Sequence, residues 1–458
     1  MHLAPITPQR LTINTPRLLL SPALAFLLAS LVSSLALPAT AQNLSQLYEA
    51  ALGFDAGILS AKLLYQANVA KADQARAAIF PTVGLNMAVN RSDVTSPTAS
   101  FDRGTFGNQS ATIAASQPLY RPANRLIAQQ GTLAADLAQA QLASAGQDLI
   151  VRVAQAYFDV LAASDSLTLV RAQKAAVALQ QASAERNFEV GTATITDTRD
   201  AQARLDLVLA QEIAADNDLR VKQLMLDQLT GQTGAAPKPL RSPITLLPVA
   251  PDDVSVWVSQ AVDTHPVIVQ ARLGLEVAQL EARKATAGHH PTLDLNGSYT
   301  VLQNDGSASV AQDYRTNVAS IGLSLNLPLF AGYAIQNRAK ETVALLDKAS
   351  TDLDAAKRTV TQATRTAFFG VQSGLGQVKA LEAAEASSQV ALDATRLGYQ
   401  VGVRINIDVL NAQSLLYDTK TRLAKARYDV LLGGLKLRQA NGSLQASDLS
   451  AINGLLAP

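Results

Sequence analysis

Between Pro122 and Pro237 this chain has no proline, and after Pro328 it has none until Pro458. Proline is the strongest helix breaker, because it lacks the N–H and clashes with the preceding turn. Both windows are rich in Ala, Leu and Gln, which sustain helices. A helix from about Ala123 to Phe188 would run roughly 100 Å at 1.5 Å per residue. No compact domain accommodates that, although 458 residues would fill two or three ordinary ones.

The long windows belong to a duplication. FEVGTATITDTRDAQ begins at Phe188 and YQVGVRINIDVLNAQ at Tyr399, 211 positions later. Each has an aromatic-x-Val-Gly turn, an Asp six residues after the Gly, and Ala-Gln soon after. Pro81-Thr82 matches Pro291-Thr292, and Gln117 to Tyr120 matches Leu327 to Phe330, both at a spacing of 210. Ala156-Tyr157-Phe158 matches Ala367-Phe368-Phe369 at 211. The chain therefore divides into a signal peptide (1–41), a first repeat (42–236), a Pro-rich crossover (237–252), a second repeat (253–441) and a C-terminal tail (442–458).

Each repeat opens with a helical stretch, Leu44 to Ile79 and Val254 to Ala287, and continues in period-two alternation. Val83, Leu85, Met87 and Val89 oppose Thr82, Gly84, Asn86 and Asn90. Leu293, Leu295, Tyr299 and Val301 oppose Thr292, Asp294, Asn296, Ser298 and Thr300. The return strands are Ser110 to Leu119, interrupted by Gln117, and Asn317 to Leu329. Alternating segments of about ten residues suit transmembrane β-strands and equally a half-buried soluble sheet. The helices that follow decide for an extended architecture. Val190-Gly191 and Val401-Gly402 then mark the turns of two long helical hairpins, where Gly supplies the positive φ that a tight turn needs. In the last helix Val409, Leu416, Leu423, Val430 and Leu437 recur every seven residues, each followed three later by Ala412, Thr419, Ala426, Gly433 or Ala440. Large-then-small positions make a coiled-coil seam.

Arg10 and Arg17 precede the apolar run LLLSPALAFLLASLVSSLAL, and Ala39-Thr40-Ala41 offers a small-x-small cleavage site, so the mature chain is expected to begin at Gln42. An uncleaved anchor is the alternative. Cleavage leaves 36 basic against 37 acidic residues, a balance that gives no support for a nucleic-acid partner. There is no Cys, hence no thiolate metal site. No nucleophile elbow, phosphate loop or zinc-protease motif is found, so no enzyme and no cofactor is expected. His289-His290 reads as a polar junction rather than a metal site, and Asp197 and Asp200 as first-turn acids favoured by the helix dipole.

Duplicated units of helix, strand, strand and helical hairpin resemble the TolC family of outer-membrane channels. The specific match is Tyr399-x-Val-Gly402-x-Arg404 with Asp408-Val-Leu, and its counterpart Phe188-x-Val-Gly191 through Ile195-Thr196-Asp197. It covers about Leu44 to Leu437. The resemblance implies an α+β membrane protein: a homotrimer whose four strands per protomer form one 12-stranded barrel, continued by a periplasmic coiled-coil barrel of helices. Independently, four strands cannot close a barrel, and open edges in lipid would leave backbone groups unpaired. Leu85, Leu323 and Leu325 should face lipid, and Asn90 to Gln109 and Leu302 to Arg315 should be outer loops.

The resemblance further implies an exit duct of the Gram-negative outer membrane, serving tripartite efflux or type I secretion. Val190, Gly191, Val401 and Gly402 would dock a periplasmic adaptor joined to an inner-membrane pump of RND, MFS or ABC type. Tyr399 and Arg404 would reach Thr196 and Asp197 of a neighbouring hairpin to hold the tunnel shut, with Asp408 at its narrowest point. The family often has a second acid where Asn411 stands here. Two other classes fit parts of the pattern: a non-conducting envelope-spanning coiled-coil scaffold, and an exported hydrolase with a helical extension.

Overall fold

The computed structural model describes residues 41–93, 105–241, 243–246, 248–306, 310 and 312–457. The expected leader therefore lies outside the described residues apart from Ala41, as do the central parts of both expected outer loops. The described chain runs α1 (Leu44–Phe54), α2 (Ala56–Arg76), a 3-10 turn, β1 (Thr82–Asp93), β2 (Thr105–Tyr120), α3 (Pro122–Glu189) and α4 (Ile195–Thr230). The second half repeats this as α5 (Val254–Thr264), α6 (Pro266–Ala287), β3 (Thr292–Asn304), β4 (Tyr314–Asn326), α7 (Ala334–Gln400) and α8 (Asn406–Ala440), followed by α9 (Asp448–Asn453). Helix α3 has 68 residues and α7 has 67.

Three boundaries differ from the sequence expectation. Each opening helical stretch is two helices, broken at Asp55 and at His265. The broken residue caps the next helix, Asp55 accepting from Ile58 N at 3.0 Å and His265 Nδ1 accepting from Val267 N at 3.2 Å. The first outer loop is shorter than expected, because β1 continues to Asp93 and β2 starts at Thr105. Strand β4 ends at Asn326 instead of Leu329. Its counterpart β2 carries on through Pro118 because β3 still pairs with it as far as Tyr120, after its pairing with β1 has ended at Ser116, whereas β4 is an edge strand.

The four strands form one antiparallel sheet in the order β1-β2-β3-β4. The repeat holds in its register: Leu85 faces Ile113 across β1 and β2, and Leu295 faces Leu323 across β3 and β4. One face carries Val83, Leu85, Met87, Val89, Ile321, Leu323 and Leu325, all exposed. On the other face Thr112 meets Thr300 at 3.0 Å, Ser116 donates to Asn296 at 2.9 Å, and Ser298 meets Ser320 at 2.8 Å. Gln117 interrupts the alternation because its amide donates to the Ile79 carbonyl at 3.0 Å, tying the sheet base to the 3-10 turn. Arg121, at the start of α3, grips Asp294 of β3 through two bonds of 2.7 and 2.6 Å.

Midway along the helices Tyr157 is buried and donates to the Lys238 carbonyl of the crossover at 2.9 Å. Around it pack α1, α4, α8 and the C-terminal segment, with Leu44, Leu226, Leu432, Leu449 and Leu456 in one core. The heptad of α8 is buried along α7. A methyl added to Gly374 would sit 2.9 Å from Val430, and one added to Gly433 would sit 3.2 Å from Val371. Each small residue therefore admits the valine of the facing helix, as a coiled-coil seam requires.

Glu281 of α6 joins three helices, accepting from Gln130 of α3 at 2.9 Å and Arg338 of α7 at 2.8 Å and pairing with Lys284. Burial pushes its carboxyl up, but these donors outweigh that and hold it at about 2. Its folded-state pKa lies below the unfolded value, so its contribution is complete at neutral pH and is lost as pH falls from the ordinary carboxylate range towards 2. Glu281→Gln should lower the melting temperature by a few degrees at pH 7 and by much less near pH 2.5, measured by circular dichroism at both pH values.

Candidate functional site: the paired hairpin tips

Both hairpins turn in the same way. Helix α3 ends with Gly191 at φ 78° and α7 with Gly402 at φ 81°. At the first tip Gly191 N donates to Phe188 O at 3.0 Å and Thr192 N to Asn187 O at 2.7 Å. At the second, Gly402 N donates to Tyr399 O at 3.1 Å and Val403 N to Gly398 O at 2.8 Å. This is the Schellman arrangement, which satisfies the last carbonyls of a helix through one left-handed residue. Val190 and Val401 stand exposed beside the glycines, with Val403, Ile195 and Ile405.

The repeated Asp has a local cause. Asp197 is the third residue of α4, and its carboxylate accepts from Thr194 N at 3.0 Å while Thr194 Oγ1 accepts from Asp197 N at 3.2 Å. That is a complete capping box. In the second copy Ile405 replaces Thr194 and has no side-chain acceptor. Only half the box survives, with Asp408 accepting from Ile405 N at a long 3.5 Å. Asp408 instead lies 3.7 Å from Arg404. The two aspartates are therefore not equivalent: one is committed to its helix and the other is largely free.

A second exchange explains Arg404. The first tip has Asn187 and Ala193 where the second has Gly398 and Arg404. A Cβ at Gly398 would come within 2.8 Å of Arg404 Cγ, so the missing side chain is what lets the arginine stem lie on α7. Tyr399 is half-buried against Leu392, Val409 and Leu416. Its hydroxyl accepts from Asn187 Nδ2 at 3.3 Å, so within the chain it meets the first hairpin at Asn187, while Thr196 is exposed.

Three residues that sequence reasoning passed over, Gln180, Asn406 and Arg204, link the hairpins together with Asn411. Asn406, the first residue of α8, accepts from Gln180 Nε2 of α3 at 2.6 Å and donates to the Asp197 carbonyl of α4 at 3.2 Å. Arg204 of α4 donates to Asn411 of α8 at 2.9 Å, so Asn411 is the acceptor for an arginine where the family often has an acid. The available signal was the difference between halves: Asn406 stands opposite Ile195 in the repeat, and Arg204 opposite Leu415.

Among the described residues no helix is long and apolar enough to cross a membrane, and no group of three or more His, Asp or Glu is placed to hold a metal. His290 lies 3.5 Å from the Tyr120 hydroxyl at the sheet base.

Residues 47–232 and 257–443 match the outer membrane efflux protein family, one match for each half. Outer membrane protein TolC of Vibrio cholerae is 34% identical over 416 residues, which span 90% of this chain and 93% of that protein. Alkaline protease secretion protein AprF of Pseudomonas aeruginosa is 31% identical over 82% of this chain and 79% of its own length. The crystal structure of the Campylobacter jejuni CmeC outer membrane channel superposes with a TM-score of 0.77 at 16% identity, covering 91% of this chain and 90% of that one. With both halves matched and most of the chain covered by relatives above 30% identity, the chain belongs to the outer membrane efflux protein family.

Proposed function

We propose that three copies of this chain close one twelve-stranded barrel and that their six hairpins continue it as a tunnel. The chain is an outer-membrane exit duct for efflux or secretion, with its helices in the periplasm, and it is not an enzyme. Strand β1, at 12 residues, rises about 30 Å when tilted as barrel strands are, enough for a bilayer core. Its apolar face would meet lipid and its Ser/Thr/Asn face the lumen. Both outer strands have an open edge, and only another copy can pair them without leaving backbone groups bare in lipid.

The observation that carries this reading is the unequal burial of equivalent residues. Phe158 of α3 is 2% exposed, packed against Tyr428 of α8 with ring centroids 5.8 Å apart. Its repeat counterpart, Phe369 of α7, is 53% exposed. Leu435 of α8 is buried, whereas its counterpart Leu224 of α4 is 67% exposed. Each half therefore offers the surface its twin has covered. If the α3–α8 seam inside a chain is repeated between chains as α7 against the next α4, Phe369 meets Val221 and Leu224 of its neighbour. By the same rule β4 pairs with the next β1.

The native chain has no Cys, so Phe369→Cys with Leu224→Cys gives a clean test. Oxidation in membranes should produce covalent dimers and trimers and nothing larger, and neither single variant should do so. A ladder running past three, or monomer alone, overturns the closed three-fold ring. Conductance of the wild type in planar bilayers separates a duct from a scaffold, which would pass no ions.

At the tips, Val190-Gly191 and Val401-Gly402 form exposed apolar turns suited to the hairpin of a periplasmic adaptor, itself joined to an inner-membrane transporter. Arg404 and Tyr399 would bridge to Thr196 and Asp197 of an adjacent hairpin, and Asp408 would ring the narrowest point.

A further inference from the structure

Helix α6 lies between two helices of its own chain, and Glu281 fastens it to both. Gln130 of α3 donates to Glu281 at 2.9 Å and Arg338 of α7 donates at 2.8 Å, while Lys284 donates to Gln130 Oε1 at 3.2 Å. The repeat counterpart of α6 is α2, which packs along α3, where Gly131 brings the backbone close to Ala72 and Ala75. Its other flank has no second long helix against it among the described residues. Leu63 of α2 is 65% exposed, whereas its counterpart Leu273 is half-buried. On α7, Leu345 is exposed where its counterpart Ala134 of α3 is half-buried. One flank of α2 and one flank of α7 are therefore open where α6 and α3 close against each other.

The charges on these two flanks are complementary, and they reverse the pattern inside the chain. The repeat spacing is 210 before the sheet and 211 along the hairpins. Lys71 and Gln74 therefore stand where α6 has Glu281 and Lys284, and Glu341 stands where α3 has Gln130. Within the chain Glu341 accepts from Arg338 at 2.8 Å, and the same arginine reaches Glu281 through its other nitrogen. An ionised carboxylate accepts about four hydrogen bonds, so Glu341 has room for further donors. Lys71 is exposed and has no partner among the described residues. Exchanging the helices would set like charges together. In the place of α6, Lys71 would face Arg338, and a neighbour's α6 set against α7 would bring Glu281 to Glu341. Repulsion of that kind selects one pairing over its alternative.

We infer that the open flank of α2 is a docking surface for α7 of the preceding copy of this chain, pinned by Lys71 and Gln74 donating to Glu341. The reversed charges keep each chain from closing on its own groove. Each copy gives α7 to one neighbour and α2 to the other, the head-to-tail relation that closes a ring. The inference rests on the three-chain reading above and extends it to the helices beneath the barrel, where α4 takes no part.

The chain has no Cys, so Lys71→Cys with Glu341→Cys can be treated in membranes with a short bismaleimide. Covalent dimers and trimers are expected, with monomer alone from each single variant. Phe369→Cys with Leu224→Cys reports separately whether the ring forms. Crosslinks there, with monomer alone from the Lys71→Cys, Glu341→Cys pair, would overturn the docking and leave the ring standing. Failure of both would remove the ring and this seam with it. Lys71→Glu should lower the yield of detergent-stable trimer by about tenfold, since three ion pairs become three like-charge contacts. It is the cleaner single change, because Lys71 has no bond within the chain to lose. The double reversal Lys71→Glu, Glu341→Lys should recover most of that yield. A trimer yield unchanged by Lys71→Glu, or a double reversal no better than Lys71→Glu alone, would overturn the pairing.

Discussion

Gly402→Val is expected to cut transport through the assembled pump or secretion system by tenfold or more while the channel still inserts in the outer membrane. Gly402 sits at φ 81°, where a β-branched residue is a genuine outlier and costs roughly 1–3 kcal/mol. Two hydrogen bonds depend on that conformation, Gly402 N to Tyr399 O and Val403 N to Gly398 O. Relieving the strain means undoing the turn on which Val401 and Val403 stand exposed, the surface proposed to meet the adaptor. Nothing lies within 4 Å of a Cβ at Gly402, so crowding is not the cause. Gly376→Ala is the control. Gly376 lies within α7 with the same open space around it, and alanine there should be neutral or slightly stabilising. Crosslinking to the cognate adaptor and transport, both at wild-type level in Gly402→Val, would remove the tips from docking.

Long helices and their ends were legible because the signals are local. An expectation of Ala123 to Phe188 became Pro122–Glu189, with Pro at the first turn and Gly after the last. Which residues share each face of the sheet followed from alternation, since a one-residue slip would turn the whole apolar set over. The end of β4 was not legible: β2 and β4 carry the same Pro, and what separates them is whether a neighbouring strand still pairs at that point. The tips show the same limit. Gly191 and Gly402 announce themselves, and Asp197 and Asp408 look like twins. Whether the residue three positions earlier is Thr194 or Ile405 decides whether the Asp caps a helix or is left free. Asn406 was passed over because an Asn at a helix start reads as solvated. Its burial comes from α3 and α4, more than 200 positions away in sequence.

That inequality between the aspartates sets the expected outcome at the proposed gate. Asp408→Asn keeps an oxygen to accept from Ile405 N and removes only charge, so helix α8 should start as before. Its pairing with Arg404, at 3.7 Å between an exposed guanidinium and a half-buried carboxylate near water, is worth about 0.2–1 kcal/mol. If Asp408 rings the narrowest point, the variant should lose cation preference with trimer yield and melting unchanged. Tyr399→Phe with Arg404→Ser acts on the other property. It removes the hydroxyl that accepts from Asn187 and the guanidinium whose stem lies over Gly398. With about 1 kcal/mol lost in each of three chains and concerted closure, the open-to-closed ratio should rise by a factor of roughly 150. Selectivity should stay with Asp408. Asp197→Ala would not be a substitute, because it also breaks the capping box of α4 at about 1 kcal/mol per helix, mixing gating with folding. Bilayer recordings of both variants under a salt gradient read open time and reversal potential together. A reversal potential that moves in the Tyr399→Phe, Arg404→Ser variant alone would take the constriction away from Asp408. Unchanged open time in that variant, in trimers of normal stability, would leave Tyr399 and Arg404 as packing for the hairpin.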